Sequence, residues 1–431
     1  MSPERLSILY LSQMPASPPR FGAQARMHGL MTQLARRHDL TAVMLVDDEF
    51  DIEESRRAMQ AYCRELVLIP NPYGGDGLSK RMLQLRSLVS RHSFERMRVT
   101  VPALQQALDR LLLARRFDIV NLEFTFLGHY DLRRAPPGEK PPALVVDSHN
   151  IDFDLARQYA HTGSLDRRLY YAANWRKLRR EELGTYDGAD GVYLCSAADE
   201  RRLLDAVPGT RTHTTVIPNG ADVYYYQPRP TDPPPDRRTV LFFGILSYVP
   251  NIDGVRHFLQ SIWPRIADAH PEARFKIVGG GAPPSLQALA GPRIELTGFV
   301  PDLRPHLAGA AAVVVPLRLG GGTRLKIVEA LAMGKAIVST TLGAEGIEAV
   351  RGRDLLVEDE AERFADAVNR LLAEPGLAAS IGQSARQLAI ERYAWSSAAL
   401  ALESFYLEVL QSARADGAHP RRVSRARTSP L

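Results

Sequence analysis

The chain has 431 residues, of which 45% are hydrophobic and 24% are charged. At roughly 150 residues per domain this length predicts two or three domains, and the composition excludes a disordered, collagen-like or disulfide-rich chain. The formal net charge is +5, but five arginines and a single acid lie in the last twenty residues, so the remainder is nearly neutral. This distribution argues against nucleic acid as a partner.

Cysteine usage and hydropathy narrow the class of protein further. Cys63 and Cys195 lie in apolar runs without CxxC or Cys/His spacing, which argues against a structural zinc site and a disulfide framework. No run approaches the roughly 18 apolar residues of a membrane span, and the N-terminal segment has no signal-peptide pattern. We therefore expect a cytoplasmic protein that could touch a membrane without crossing it.

Short apolar runs alternate with helix-like segments, which is typical of βαβ units and a parallel sheet. The runs lack in-and-out alternation, as expected for strands buried on both faces. In the first half the predicted strands are SILYLS (7–12), LTAVML (40–45), ELVLIP (65–70), FDIVNLE (117–123), ALVVDS (143–148) and GVYLCS (191–196). In the second half they are TVLFFG (239–244), FKIVGG (275–280), IELTGF (294–299), AAVVVP (311–316) and AIVST (336–340).

The two sets of strands predict an α/β fold with two doubly wound, Rossmann-like domains that face a cleft. Ligands of such sheets bind beyond the carboxyl ends of the strands, so functional residues should follow strands directly. A proline-rich stretch separates the halves. The predicted boundaries are an N-terminal domain over 1–226, a linker over 227–238, a C-terminal domain over 239–392, a helix returning to the N-terminal domain over 393–411, and a disordered basic tail over 412–431.

The most informative stretch, residues 313–347, has the pattern strand, glycine loop, helix, strand. Glycines allow close backbone approach to a ligand, Thr323 could cap the helix, and a helix N-terminus favours an anion such as diphosphate. Arg324 and Lys326 fall in the predicted first turn, where cations oppose the helix dipole. Their placement therefore favours a bound anion over a solvated helix start. Glu329 could accept hydrogen bonds from sugar hydroxyls. The loop glycines are Gly320, Gly321 and Gly322.

This stretch resembles the donor-binding signature of the family-four glycosyltransferases, which are retaining enzymes of the GT-B architecture. The resemblance implies a retaining hexosyltransferase with a UDP- or GDP-sugar donor and a glycan or lipid-linked acceptor, in bacterial exopolysaccharide synthesis. It places the acceptor in the N-terminal domain and the donor in the C-terminal domain. Other motifs that carry it are VIPNGAD (216–222), FFGILSYVPNIDGV (242–255), IVGGG (277–281) and TGFV (297–300).

The glutamate pattern departs from that of the family, which usually has two glutamates separated by seven residues. Glu329 matches the second, which contacts the nucleotide ribose, but Gly321 stands where the first should be. Sugar-side recognition then falls to the backbone amides of Gly321, Gly322 and Thr323.

A second departure concerns the diphosphate. Many members carry an Arg and a Lys after the first strand of the C-terminal domain, whereas the loop here begins at Gly244 and has neither. We predict that Arg324 and Lys326 replace them as catalytic cations, because a departing diphosphate needs charge-assisted donors. The remaining residues predicted to bind the donor are Gly244, Gly298, Phe299 and Gly320.

The N-terminal half has two candidate sites. The loop and helix start over 14–30 resemble the family's proline and glycine loop, which suggests acceptor binding by Gly22, Ala23 and Arg26; a plain surface arginine is the alternative for Arg26. His149 follows a predicted strand, where the family has a histidine near the donor sugar, so we predict a catalytic role. The alternative is a buried, hydrogen-bonded histidine.

We expect no cofactor and no metal ion, because no carboxylate pair is evident near the diphosphate. Should a metal be required, Asp147, Asp152 and Asp154 are the candidate ligands.

The segment 80–98 is rich in basic residues and carries an apolar stripe at helical spacing. Such a helix could lie on an anionic membrane surface, on the inner face of the cell membrane, or pack on its own domain. A second basic patch spans 167–180. The stripe residues are Met82, Leu85, Leu88 and Val89.

Three other functions compete with sugar transfer. A nucleotide-sugar epimerase of the same architecture would need an acid/base set, for which His149 is the sole sequence candidate. A basic nucleic-acid or membrane binding module would depend on 80–98 and the tail rather than on the glycine loop. A Rossmann dehydrogenase is disfavoured because the first strand is followed by MPASPPRFGA instead of GxGxxG.

Overall fold

The computed structural model describes residues 5–75, 77–161, 165–210, 212–232, 235–320 and 323–415. The N-terminal half forms a parallel sheet with strands β1 (Ser7–Ser12), β2 (Asp39–Val46), β3 (Glu65–Pro70), β4 (Ile119–Glu123), β5 (Ala143–Ser148), β6 (Gly191–Leu194) and β7 (His213–Val216). Their spatial order is β3-β2-β1-β4-β5-β6-β7. The six predicted strands are present, and β7, a partly exposed edge strand, was not predicted.

Helices cover both faces of this sheet and bury an apolar core on each side. A short 3-10 turn follows β4 at Thr125–Leu127. The helices of this half are α1 (Gly22–Leu34), α2 (Ile52–Gln60), α3 (Leu78–Val89), α4 (Phe94–Arg98), α5 (Pro102–Ala114), α6 (Asp152–Tyr159), α7 (Leu165–Gly188) and α8 (Ala197–Ala206).

The C-terminal half forms a second parallel sheet with strands β8 (Asp236–Phe243), β9 (Arg274–Val278), β10 (Ile294–Gly298), β11 (Ala310–Val315), β12 (Ile337–Ser339) and β13 (Leu356–Val357). The spatial order is β10-β9-β8-β11-β12-β13. β8 begins three residues earlier than predicted, inside the expected linker, because Asp236 already pairs with Ala310 of β11. Two doubly wound domains are thus present, which confirms the predicted fold class.

The helices around the second sheet enclose a single large apolar core. A π-helical segment, Phe258–Ile262, joins the first two of them. They are α9 (Val249–His257), α10 (Trp263–Ala269), α11 (Pro284–Gln287), α12 (Arg304–Gly309), α13 (Leu325–Ala332), α14 (Ala361–Ala373) and α15 (Pro375–Arg392). Among the described residues, no helix is both long and apolar enough to cross a membrane.

The last helix, α16 (Trp395–Ala415), leaves the second domain and packs on the first sheet against α1. Gly29 of α1 makes this approach possible, since a Cβ there would lie 2.3 Å from the Trp395 indole. The helix continues to Ala415, so the expectation of disorder from residue 412 is wrong for its first four residues. The rest of the predicted tail, 416–431, lies outside the described residues.

Candidate functional site

His149 lies directly after β5, at the carboxyl edge of the N-terminal sheet. Its side chain is buried, its Nε2 is 2.8 Å from Glu123 Oε2, and its ring stacks on Phe124 with centroids 4.2 Å apart. Phe124 has a φ of 69°, a left-handed conformation that is strained for a bulky residue. The strand-end backbone and Glu123 therefore hold the imidazole in one orientation. Its catalytic role stays a prediction.

Glu123, at the end of β4, is the residue that the sequence analysis missed in this cluster. It is fully buried. Burial is the main cause that raises its pKa to about 7, and the nearby charge of Asp147 adds to the effect. The Asn121 amide donates to Glu123 Oε1 at 2.9 Å. The raised pKa of Glu123 and its contact with His149 depend on residues that are distant in the sequence. Nothing in the run NLEF indicates that this carboxylate pairs with His149.

Arg26 lies in the interior and does not contribute to an acceptor surface. Its side chain is 1% exposed, and its Nε donates to both Asp147 carboxylate oxygens at 3.0 and 2.8 Å. Its Nη1 donates to the Ile217 carbonyl and to Asn219 Oδ1, each at 2.9 Å. The predicted acceptor role of Arg26 is therefore wrong, because its guanidinium neutralises a buried carboxylate. The surface alternative is wrong as well.

Gly22 and Ala23, the other predicted acceptor residues, begin α1 at the cleft. Gly22 is exposed, and a Cβ there would lie 3.1 Å from Leu325 of the opposite domain. Their acceptor role stays a prediction.

Ligand atoms of Glu123, Asp147 and His149 lie within 4.8 Å of one another, so the trio has the composition of a metal site. Arg26 already contributes a positive charge to the cluster through its contacts with both Asp147 oxygens. A divalent cation would have to compete with this guanidinium for the carboxylate, which disfavours metal binding.

The described residues at the two ends of the glycine loop contact the N-terminal domain. Gly320 has a φ of 120°, which favours glycine, and its amide donates to Gln158 Oε1 at 3.3 Å. Thr323 Oγ1 donates to the Cys195 carbonyl at 2.6 Å, and the Asn219 amide donates to the Thr323 carbonyl at 2.9 Å. The expected capping role of Thr323 is wrong, because α13 starts two residues later and the hydroxyl spans the cleft. Gly321 and Gly322 lie outside the described residues.

Lys326 lies in the first turn of α13 and reaches the loop after β8. Its Nζ donates to Asn251 Oδ1 at 2.7 Å and lies 4.1 Å from the centroid of the Phe242 ring. Gly244 has a φ of 145°, which favours glycine, and a Cβ there would lie 2.8 Å from this Nζ. Burial, with a contribution from the Arg324 charge, lowers the pKa of Lys326 to about 7. An anion beside it would favour the charged form.

Arg324 occupies the N-cap position of α13 and is 9% exposed. Burial lowers its pKa, which the nearby Tyr248 partly offsets. Two cations are therefore enclosed at one helix start, where they repel each other and the helix dipole. The alternative of a solvated helix start is wrong for both side chains.

Glu329 follows one turn after Lys326 and forms a side-chain hydrogen bond with Tyr226. Burial raises the pKa of Glu329 to about 7, although Tyr226 and Lys326 favour its ionised form. Tyr226, from the turn before the linker, is a second residue that the sequence did not indicate.

Gly298 is the last residue of β10, and Phe299 follows it directly. A pocket of about 410 Å³ lies there, and Phe299 is 70% exposed beside it. A Cβ at Gly279 would lie 2.0 Å from the Gly244 carbonyl oxygen, so the loops after β8 and β9 are in direct contact. The described residues of the second domain that are predicted to bind the donor thus lie together at the carboxyl ends of its strands. The pocket is lined by Gly279, Gly281, Ala282, Gln287, Ala290, Leu296, Thr297 and Gly298.

Two family models match the chain on either side of the linker. The model described as Glycosyltransferase Family 4 matches residues 22–225, and the one described as Glycosyl transferases group 1 matches residues 237–374. The chain belongs to the family-four glycosyltransferases. It is a glycosyltransferase with the GT-B fold. Among curated proteins, no relative matches it.

Solved structures with this fold are similar over nearly the whole chain. HepE of Anabaena, in complex with UDP and glucose, is 16% identical, with a TM-score of 0.64 over 93% of this chain and 99% of its own. Sucrose-phosphate synthase of Thermosynechococcus elongatus is 18% identical, with a TM-score of 0.68 over 94% and 100%. TarM of S. aureus is 12% identical, with a TM-score of 0.66 over 94% and 100%.

Proposed function

We propose that this glycosyltransferase transfers a hexose from a UDP-sugar with retention of the anomeric configuration, and that Lys326 and Arg324 bind the diphosphate. The observation that carries the proposal is the enclosure of both cations at the start of α13, where each loses hydration and repels the other. A diphosphate between the strand-end loops would offset this cost. UDP is favoured over GDP because HepE was solved with UDP and with UDP-glucose.

The chemistry assigned to these residues is a front-face displacement. The acceptor hydroxyl oxygen bonds to the anomeric carbon as the bond from that carbon to the diphosphate oxygen breaks, and the hydroxyl proton passes to the departing diphosphate. The ammonium of Lys326 and the guanidinium of Arg324 stabilise the charge that grows on the leaving group. Neither needs to move far, since α13 holds both.

His149 and Glu329 are proposed to bind the two ends of the donor. The strand-end position of His149 and its fixed ring support a contact with the sugar. Glu329, one turn along α13 from Lys326, would accept hydrogen bonds from the ribose hydroxyls. Gly244, Gly298, Phe299 and the glycine loop, Gly320 to Thr323, would complete the donor site.

For the acceptor we propose a glycan or lipid-linked molecule of bacterial polysaccharide synthesis, bound near Gly22 and Ala23. We also propose that the enzyme works in the cytoplasm, peripheral to the inner face of the cell membrane. WaaG, a similar fold at 14% identity with a TM-score of 0.62 over 91% of this chain and 98% of its own, is described as involved in lipopolysaccharide biosynthesis, which supports this choice.

A panel of UDP- and GDP-sugars, followed by proton NMR, tests the proposal. We expect one UDP-hexose to be consumed slowly without acceptor and rapidly with a suitable one, and to give a product whose anomeric configuration matches that of the donor. An inverted product would exclude retention. Conversion of the donor into an epimer, without release of UDP, would favour the epimerase.

A further inference from the structure

Helix α3 is amphipathic with its apolar side facing outward. Leu78, Met82, Leu85 and Val89 recur at helical spacing and are 79%, 69%, 66% and 88% exposed. The one fully enclosed side chain of the helix is Ser87. Packing of the stripe on its own domain, the alternative raised by the sequence, is therefore wrong.

Helix α7 holds α3 in this orientation and carries exposed leucines of its own. The hydroxyls of Ser87 and Tyr170 are 3.4 Å apart, and Lys177 Nζ donates to the carbonyls of Ser87 and Leu88 at 2.5 and 3.1 Å. Polar contacts thus bind the inner side of α3. On α7, Leu165 and Leu169 are 68% and 63% exposed, one turn apart. We call the exposed side chains of α3 and of residues 165–169 of the neighbouring α7, taken together, the α3–α7 face.

Basic side chains are exposed on the same helices and just after α3. Arg81, Arg86 and Arg91 are exposed, as is Arg168 of α7. Within the described part of the chain, no carboxylate forms an ion pair with Arg81, Arg86 or Arg91. Long arginine stems can lie along apolar surface while their charged ends stay in water, which is the arrangement of helices that lie in a membrane interface.

The α3–α7 face adjoins the cleft. The Tyr170 and Tyr171 rings are 5.6 Å apart, and the Tyr171 and Tyr159 rings are 5.2 Å apart. Tyr159 ends α6, next to Gln158, which accepts the hydrogen bond of the Gly320 amide. A surface on which this face rests would therefore lie beside the opening between the two domains.

We propose that the α3–α7 face docks on an anionic lipid bilayer, with the leucines and methionine in the interface and the arginines on lipid phosphates. Charge complementarity selects this occupant, because four exposed arginines lie on or directly beside this face, against one exposed acid among its described residues, Asp166. Such a surface matches an acidic lipid bilayer. The docking deepens the proposed function by naming the surface for a membrane-bound acceptor. Its test depends neither on the sugar nor on turnover.

Vesicle co-sedimentation of the full-length protein tests the docking. We expect strong binding to phosphatidylcholine vesicles that contain phosphatidylglycerol, and weak binding to phosphatidylcholine alone. Each basic residue contributes about 1 kcal/mol, roughly fivefold in partitioning. Arg81→Gln, Arg86→Gln and Arg91→Gln together should thus weaken binding about a hundredfold. Met82→Ser with Leu85→Ser should weaken it at least tenfold. Circular dichroism should show an unchanged Tm, since all five side chains are exposed.

Two controls keep the result specific. Leu400→Ser changes a leucine of α16 that is 51% exposed, away from the face, and should leave vesicle binding unchanged. Replacement of Arg421, Arg422, Arg425 and Arg427 by Gln removes the tail charge and should leave most of the binding. Wild-type affinity in both face variants, or full loss in the tail variant, would overturn the proposal. The proposal would also be overturned if the wild type formed a dimer and did not bind vesicles, while the variant Met82→Ser with Leu85→Ser was a monomer. The stripe would then be a dimer interface.

Discussion

Lys326 and Glu329 share one turn of α13 and have pKa values displaced towards each other. Burial lowers the pKa of the lysine and raises that of the glutamate, each to about 7. Both side chains are thus costly to charge in the free enzyme. A nucleotide-sugar would change this at both residues, because its diphosphate favours the ammonium and its ribose hydroxyls favour the carboxylate.

The first prediction is a pH-dependent donor affinity. Above about pH 7 the free enzyme loses the Lys326 proton, so binding of UDP-glucose must take up a proton, and its Kd should rise from pH 7 to 9 by up to about tenfold per unit. In Lys326→Arg the rise should flatten, because guanidinium stays protonated. Calorimetry in two buffers of different ionisation enthalpy measures the uptake.

Glu329 ionises over the same pH range, but its ionisation has the opposite effect on donor affinity. Its carboxylate would accept hydrogen bonds from the ribose better as pH rises. In Glu329→Gln the slope should therefore become steeper. A Kd that is independent of pH in Glu329→Gln, where the opposing titration is absent, would show that Lys326 does not meet the diphosphate.

Glu329→Gln should weaken UDP-glucose binding by roughly 1.5 to 3 kcal/mol, the range for a hydrogen bond to a charged group. At pH 8, the free energy of unfolding of Glu329→Gln should not be lower than that of the wild type. The folded state favours the protonated carboxyl, so ionisation costs stability as pH rises from 4.5 to about 7, and a neutral amide avoids that cost. Calorimetric Kd and Tm values check both statements. Glu362→Gln, an exposed site of α14, is the control, and equal affinity in both variants would remove Glu329 from the site.

For single residues, the sequence indicated which side chains lie at the site better than it indicated the partners that they contact. Lys326 and Glu329 were found from spacing and resemblance, and both lie at the predicted strand edge. Arg26 and Thr323 were misassigned, because their partners, Asp147 and the Cys195 carbonyl, come from distant segments. No local pattern reports such a contact.

Among the elements, the contact of α1 with α16 brings the C-terminal helix onto the first sheet. Trp395 and Leu402 of α16 belong to the same core as Met27 of α1. The strands were predictable because buried parallel strands form continuous apolar runs. β7 and β13 were missed, since β7 is a polar edge strand and β13 has two residues.

Gly29→Ala should destabilise this contact. The added methyl group would lie 2.3 to 2.7 Å from Trp395 ring atoms, so the indole must shift, at a cost of roughly 1 to 3 kcal/mol. Gly184→Ala in α7 is the matched control, because a Cβ there meets nothing within 4 Å and should stabilise the helix slightly. Calorimetry should show a Tm several degrees lower for Gly29→Ala alone. Equal Tm values would mean that the two helices are not tightly packed there.

On the scale of the whole molecule, the two domains meet through the loops that carry the candidate site. Arg202 of α8 pairs with Glu345 at 2.6 Å across the cleft, beside the contact of Thr323 with the Cys195 carbonyl. Gly320 and Thr323, on either side of the undescribed residues 321–322, both contact the N-terminal domain. The two sets of predicted strands were enough to predict a cleft between two domains. The residue pairs that join the domains across it could be identified only from the folded structure.

Activity should persist in excess EDTA, because the charges placed for the diphosphate are side chains of both Arg324 and Lys326. Asp147, a candidate metal ligand, is already engaged by Arg26. Turnover of the donor with and without EDTA measures this. Loss of turnover that magnesium or manganese fully restores would contradict the prediction and return attention to Asp147, Asp152 and Asp154.

The most direct test of the central claim is single-turnover kinetics of the active UDP-sugar with the wild type, Lys326→Ala, and the double variant Arg324→Ala with Lys326→Ala. If these cations stabilise the departing diphosphate, Lys326→Ala should slow the chemical step about a hundredfold to a thousandfold, roughly 2.7 to 4 kcal/mol, and weaken ground-state binding less. The double variant should be slower still. A double variant that turns over the donor at nearly the wild-type rate would contradict the claim.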